Sequence, residues 1–361
     1  MRVRVTAAHE LTSGEIGRWE ELRSGRPELA SPYFHPEFVV ALGDAHPATR
    51  VGVIEDGGRV AGFFPFESGR FGAGRPAGSP LSDFHALVAD REAEIVPREL
   101  IRGAGLAFWE FDHLLASETM FEPHFEKLAS SPYIDLAAGF DGYLEERRRA
   151  GAARLGQIQR KARKLEREVG GVELVASSKD ARALDFVFSC KSQQCRRTGA
   201  LDFFSALGWT APFVRRLAET ETPGFSGMLS VLNAGGRIVA AHMGMRAGGT
   251  FHWWFPVYDP GDPVAKYSPG AILLLKLTET LAGMGVTRID LGKGDDAYKA
   301  SFMSGEIAVA EGAVETRSLA SALRRARIAS RRWIRESPAA EPLRRARRAL
   351  KASVGRAAGV S

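Results

Sequence analysis

Residues 266–299, KYSPGAILLLKLTETLAGMGVTRIDLGKGDDAYK, decide the fold. They read as a loop, a helix, a strand and a polar loop. Ser268 has the chemistry of an N-cap, Pro269 suits the first helical position, and Gly270 lets a ligand approach the backbone. Ile272, Leu275, Leu277, Thr278, Leu281 and Ala282 then recur at helical intervals until Gly283 and Gly285 end the pattern. A helix that starts this way aims its free N–H groups and positive dipole end at whatever lies above Ser268 and Ala271. A phosphate or pyrophosphate is the natural guest. Residues 286–291 predict a buried strand that runs into a loop rich in Gly and Asp and ends at Tyr298 and Lys299. Polar groups just past a strand end are the usual place for an α/β site.

Working back from this unit, residues 227–232, 237–246 and 250–257 predict three strands in a meander, with turns at Ala234-Gly235-Gly236 and Ala247-Gly248-Gly249. Helices are expected over 179–197 and 211–220, and one long helix over 142–169. On that long helix Leu155, Ile158, Ala162, Leu165 and Val169 form an apolar face, and Arg147, Arg148, Arg149, Arg154, Arg160, Lys161, Arg163, Lys164 and Arg167 crowd the rest. Such a face suits either solvent or phosphates. Residues 133–136 predict a strand ahead of it.

The first part of the chain predicts a strand over 3–7, a helix over 13–22 capped by Ser13, and a turn with a short helix in SPYFHPEFVVAL. A hairpin of residues 51–55 and 60–66 is joined by Asp56-Gly57-Gly58-Arg59. Residues 68–80 read as a Gly-rich surface loop with Ser82, Asp83, Phe84 and His85 at its end. A helix over 95–102 and a strand over 107–111 follow. VGVIEDGGRVAGFFPF and LSVLNAGGRIVAAHMGM repeat one pattern of strand, Gly-Gly-Arg turn and strand, with Arg59 in register with Arg237. Two copies of one fold account for it. The first copy lacks a counterpart of Ser268-Pro269-Gly270 and reads as a wall with no phosphate site of its own.

With 361 residues, 45% of them hydrophobic, the chain has enough for two domains with real cores. It has no apolar run long enough to cross a membrane and no signal-peptide block at its start, so a cytoplasmic, bacterial-looking protein is expected. Cys190 and Cys195, five apart on one helix, suit free thiols better than a disulfide or a metal site, and no metal is expected. From Ser318 onward eleven Arg and one Lys face two Glu, a surplus of ten positive charges, which leaves about four negative ones on the remainder of a chain whose net charge is +6. This basic tail fits a solvated arm, an anionic membrane surface or RNA.

The order of meander, strand FHWWFPVYDP, loop KYSPGAILL and strand TRIDLGKGDDAYK resembles the GNAT acyltransferase superfamily. Within it, the chain resembles the CelD-like branch associated with cellulose biosynthesis, with kinship to Fem-type tandem-GNAT transferases. The resemblance covers residues 133–311 well and the first half loosely. It rests on Tyr258-Asp259-Pro260, Ser268-Pro269-Gly270, and Asp290-Leu291-Gly292 with Tyr298-Lys299. It implies an α/β (α+β) fold of tandem GNAT-like domains, each a mixed, mostly antiparallel sheet flanked by helices. The divisions are residues 1–132, a degenerate copy; 133–317, the acyltransferase domain; and 318–361, a basic helical or disordered tail.

The resemblance further implies acyl-CoA, in the first instance acetyl-CoA, as co-substrate, held by Lys266, Tyr267, Ser268, Pro269, Gly270 and Ala271. The common loop, Arg/Gln-x-x-Gly-x-Gly/Ala, is approximated here by Lys266-x-x-Pro269-x-Ala271. Backbone amides from Phe255 to Val257 would serve a developing oxyanion where the strand splays, a place consistent with Pro256. Tyr298 is the implied acid for the departing thiolate. His242, His252, Asp259, Asp290 and Asp295 are the candidates for the base, with His242 and Asp290 preferred; each also suits a purely structural role. Lys299 suits either the donor's phosphates or a pairing with Asp295 and Asp296. Alternation sends Trp253 and Phe255 to one face and Trp254 to the other. The acceptor is an amine or hydroxyl on a small molecule, glycan or peptide. Transfer from aminoacyl-tRNA and a non-catalytic tethering role are the alternatives.

Overall fold

The computed structural model describes residues 1–294 and 298–336. Among them fourteen strands build one sheet: β1 (Arg2–Ala7), β2 (Thr49–Asp56), β3 (Arg59–Ser68), β4 (Ala73–Pro76), β5 (Val88–Ala89), β6 (Phe108–Leu115), β7 (Phe125–Asp135), β8 (Val172–Val175), β9 (Glu221–Thr222), β10 (Phe225–Ala234), β11 (Arg237–Ala247), β12 (Thr250–Val257), β13 (Arg288–Asp290) and β14 (Gly305–Glu315). Their order is β1-β2-β3-β4-β6-β14-β7-β13-β12-β11-β10-β8, with β5 beside β3 and β9 beside β10. The ladders are antiparallel except β4 with β6 and β12 with β13. Both sets of strands run inward from an edge strand, through a hairpin, to a parallel pair, which is the duplication that the Gly-Gly-Arg turns indicate. Gly57 and Gly58 sit at φ 55° and 79°, and Gly235 and Gly236 at 57° and 76°. Only glycine occupies two successive left-handed positions without strain, so both turns twist with their strands.

The two copies meet through β14. It lies between β6 and β7, pairing Val309 with Leu115 on one side and Gly305 with Tyr133 on the other. On one face a single apolar cluster serves both halves: Trp19, Phe38, Leu42 and Phe63 join Phe213, Leu217, Met243 and Trp254. On the other face each half keeps its own cluster. In the second half that cluster lies under the helix Pro269–Gly283, where Leu273, Leu277 and Leu281 are fully buried.

Several elements differ from expectation. The helix over 142–169 is two helices, Gly139–Arg149 and Ala153–Val169, broken at Gly151 with φ 77°. The apolar face of the second one, the basic helix, is as expected, with Leu155, Ile158 and Leu165 buried. The first long helix is Ser13–Ser24, and its cap is Thr12, whose hydroxyl accepts the Glu15 amide while Glu15 reaches back to the Thr12 amide. Residues 68–80 are no simple surface loop: they contain β4, and Gly74, Pro76, Ala77 and Gly78 are buried. The strands β8 and β14 were not expected, and β7 begins well before residue 133. Of the tail, Leu319–Glu336 forms a helix whose Arg324 is buried against Glu110, Glu126 and Glu315; residues 337–361 lie outside the described residues. No described helix is long and apolar enough to cross a membrane.

Glycine marks the tightest contact in the second half. A Cβ on Gly227 of β10 would lie 1.8 Å from the carbonyl oxygen of Leu217, so Gly227→Ala should destabilise the protein by about 3 kcal/mol or more in urea unfolding. Gly17, inside a helix with nothing near its missing Cβ, should tolerate Ala and gain about 0.5–1 kcal/mol. Equal responses at the two positions would contradict the packing of β10 on the helix Thr210–Glu219.

Candidate active site where two parallel strands part

β12 and β13 run side by side for three residues, Thr250–His252 against Arg288–Asp290. Past that point β12 continues with β11 as far as Val257, whereas the chain after Asp290 turns away: Gly292 adopts φ 72° and the Leu291 amide donates to the carbonyl of Pro132. A V-shaped opening results, and among the described residues no strand pairs with the β12 edge from Trp253 to Val257 on that side. Phe255 and Val257, the expected oxyanion residues, lie on this edge with their side chains buried.

The mouth of the V is built by both halves. His252, from β12, has its Nε2 3.0 Å from Oδ2 of Asp83, from the first half. Asp83 sits so close over the turn at Gly292 that a Cβ there would come 2.8 Å from the same oxygen. The Tyr33 ring meets the His252 ring edge-on at 4.8 Å. Trp254 donates its indole N–H to the carbonyl of Leu81, 2.8 Å away. His252 is fully buried, but the Asp83 side chain keeps 28% of its surface exposed and is the member of the pair that solvent reaches. Burial pushes the Asp83 carboxyl up; the His252 hydrogen bond and the positive field of His252, His113 and Lys299 outweigh it and leave Asp83 below the usual carboxylate range.

His242 and Asp290 flank this point. The His242 ring is fully buried, stacked on Trp253 at 3.8 Å, and its Nε2 accepts the Trp254 amide at 2.9 Å. That bond occupies the lone pair a base would use. Burial, followed by the field of His252 and Lys191, holds His242 well below the ordinary imidazole value, so the ring is neutral. The same residues form a β-bulge, with the register shifting between Met243 and Met245. The bulge breaks alternation, so Trp254 and Phe255 pack in the shared cluster and Trp253 in the other, contrary to the expected split. Asp290 is the cross-strand neighbour of His252. It is fully buried, 3.0 Å from Arg288 Nε but out of hydrogen-bond alignment; burial raises it, against Arg288 and His252.

At the helix start Ser268 is not an N-cap. It adopts the left-handed conformation, φ 60° and ψ 57°, with no capping bond, and its hydroxyl accepts from Lys161 of the basic helix at 2.8 Å. That conformation costs a non-glycine residue about 1 kcal/mol. Pro269 has no amide hydrogen, and the Ala271 and Ile272 amides both donate to the Ser268 carbonyl, so Gly270 alone in this turn has an amide without a backbone acceptor among the described residues. The exposed Tyr258 ring lies beside Gly270, 3.3 Å from where a Cβ would be. Lys266 is exposed over the Tyr267 ring, and Tyr267 is buried with its hydroxyl on Glu168.

Lys299 is buried and donates to the carbonyls of Gly292 and Lys293 at 3.0 and 3.1 Å, which ties down the loop after β13. Tyr298 is half-buried at the start of the short helix Lys299–Phe302. Asp295 and Asp296 lie outside the described residues. A cleft of about 390 Å³ opens beside the end of β12, lined by Gln193, Gln194 and Arg197 with residues 256–261. The sequence marks Asp83 only as the end of a Gly-rich loop; the pairs Asp83 with His85 and Asp112 with His113, in a chain with eight His, are the signal that points to it.

Residues 152–300 match the family model described as acetyltransferase (GNAT) domain. Among solved structures, the fold is similar to the C-terminal domain of a putative lysylphosphatidylglycerol synthetase from Agrobacterium fabrum, at 15% identity over 88% of this chain and 96% of that one with a TM-score of 0.53. It is similar as well to L-PGS from Bacillus licheniformis, at 13% identity over 86% and 94% with a TM-score of 0.52. FemX, at 10% identity over 86% and 96%, also has a TM-score of 0.52. No curated protein matches the chain in sequence. The architecture is a mixed and mostly antiparallel sheet flanked by helices, and the match to the acetyltransferase (GNAT) domain falls on residues 152–300 of it.

The neutral His242 gives a pH signature. In the unfolded chain it titrates near 6.5, whereas in the fold it stays unprotonated far below that, so its contribution to stability is complete above pH ~6.5 and is lost as the pH falls. The urea-unfolding free energy should drop by up to about 1.4 kcal/mol per pH unit on this account between pH 6 and 4. His242→Gln should show a shallower slope; an unchanged slope would contradict a buried neutral ring.

Proposed function

We propose that the protein transfers an acyl group, acetyl in the first instance, from an acyl-CoA thioester to an amine or hydroxyl acceptor by direct attack, in the manner of the CelD-like branch that its loops resemble. The observation that carries this reading is the parting of β12 and β13 beside a helix start with an unfilled amide. The six residues from His252 to Val257 span about 17 Å of strand, a length that suits an extended phosphopantetheine arm. The pyrophosphate then lies at the Gly270 amide, near Lys161 and Lys266, and the thioester at the mouth of the V.

There the acceptor's N–H or O–H bonds to Asp83. As its lone pair forms the new C–N or C–O bond, the proton passes to the Asp83–His252 pair. The C–S bond breaks and the thiolate takes a proton, for which Tyr298 is the assigned donor. Holding donor and acceptor together supplies most of the acceleration, and general-base assistance adds about 10²–10⁴-fold. The acceptor is a small molecule, glycan or peptide.

Transfer of an aminoacyl group from tRNA is the second reading. It is favoured by the basic helix, whose Arg160, Arg163, Lys164 and Arg167 are exposed and which touches the same turn through Lys161 and Ser268. Both readings use the V; they differ in what the cations hold.

Calorimetry with acetyl-CoA separates them. Binding should be seen, and Gly270→Glu should weaken it at least about tenfold, or 1.4 kcal/mol. Asp83→Asn should leave that affinity intact and slow acyl transfer by about 10²-fold or more. No binding of acetyl-CoA together with a low-salt shift of charged tRNA would replace the first reading with the second; indifference to both would remove each.

A further inference from the structure

Near Asp83, but on its far side from His252, three side chains converge without satisfying one another. His85 lies between β4 and β5, and Asp112 and His113 are consecutive on β6. Their backbones are fixed: the His85 amide donates to the His113 carbonyl and the Leu115 amide to the His85 carbonyl, both at 2.9 Å. His113 Nδ1 is 3.0 Å and His85 Nδ1 3.8 Å from the same oxygen, Oδ1 of Asp112. One ligand atom from each of the three residues lies within 4.8 Å of the other two.

Neither ring nitrogen makes a hydrogen bond. His85 is 5% exposed, its Nδ1 is buried without a partner, and the Nδ1 of His113 is buried too far out of line with Asp112 to donate to it. A buried polar atom left this way costs about 1–3 kcal/mol. The opposite nitrogen of His85, Nε2, is 3.0 Å from the Ser82 hydroxyl. When that nitrogen carries the hydrogen, Nδ1 presents a lone pair to the gap. The opposite nitrogen of His113 faces Asp83 Oδ1 at 4.0 Å, so a carboxylate stands behind the second ring, beyond hydrogen-bond distance.

An ion bound by two imidazoles and a carboxylate at about 2.0–2.2 Å holds its ligand atoms roughly 3.3 Å apart in tetrahedral geometry. The contacts of 3.0 and 3.8 Å bracket that spacing. Partners behind the rings are what such ligands use to fix their orientation. Asp112 is 54% exposed, which provides an entry path and an open coordination position. The cation Lys293, close enough to be felt by Asp112, bonds to the Asp112 carbonyl and is neutralised by Glu311 at 2.6 Å.

We propose that His85, Asp112 and His113 bind a divalent first-row transition-metal ion, zinc being the best match to two nitrogens and one oxygen. The site is independent of the acyl-transfer reading, since it needs neither the V nor the helix start. Its ion would add a positive charge behind Asp83.

The test uses the full, untagged chain, stripped with chelator and titrated with zinc chloride by calorimetry and cobalt chloride by visible absorption. One zinc per chain is expected, and a cobalt spectrum of low coordination number without a thiolate charge-transfer band. Asp112→Asn, at a half-exposed position that leaves the fold intact, and His113→Ala should each weaken zinc binding at least tenfold. Cys190→Ser and Cys195→Ser should not. Zinc should also raise the melting temperature of the natural chain and leave that of Asp112→Asn unchanged. Equal zinc uptake by the natural chain and Asp112→Asn overturns the proposal, as does a cobalt signal that disappears with the cysteines.

Discussion

A strand that loses its neighbour in the interior of a sheet leaves a row of peptide groups that something else must satisfy. β12 is in that position from Trp253 onward, because its partner β13 ends at Asp290 and the chain then follows β7. The protein answers partly from within. The His242 ring takes the Trp254 amide, and a segment of the first half closes the mouth, with Leu81 receiving the Trp254 indole and Asp83 receiving His252. The first copy therefore completes the candidate site of the second; contrary to expectation it also has a helix start of the same pattern, at Pro97, where the Glu99 and Leu100 amides both donate to the Val96 carbonyl. The shared apolar cluster that presses the two halves together is what keeps Asp83 within reach of His252.

Periodic features were legible before any coordinates. The meander, the two Gly-Gly-Arg hairpins, the helix Pro269–Gly283 and the apolar face of the basic helix all follow from spacing, because burial against a sheet enforces spacing. The two conformational details that shape the site do not. Ser268 sits in the left-handed region with its hydroxyl held by Lys161, remote in sequence; nothing local distinguishes it from an N-cap. The bulge opposite Gly244 puts Trp254 and Phe255 on the same face, and a strict alternation cannot register one extra residue. Asp83 was hidden for another reason: its partner is on a strand 169 residues away, and only the docking of the halves joins them. β14 escaped notice because Gly305–Glu315 is short of large apolar residues, being sandwiched between strands whose side chains fill the space.

The position of β14 also constrains the life of the chain before it is finished. A nascent chain that has emerged as far as residue 300 would display β6 and β7 as two naked borders, each a template for the wrong partner. Neither half can be sealed until the segment that zips them together arrives, and that segment must find strands synthesised almost two hundred residues earlier, as Val309 does with Leu115. Such late, long-range closure is slow. It makes the two copies inseparable as modules: excising the second would remove the wedge, and excising the first would leave one of its edges bare.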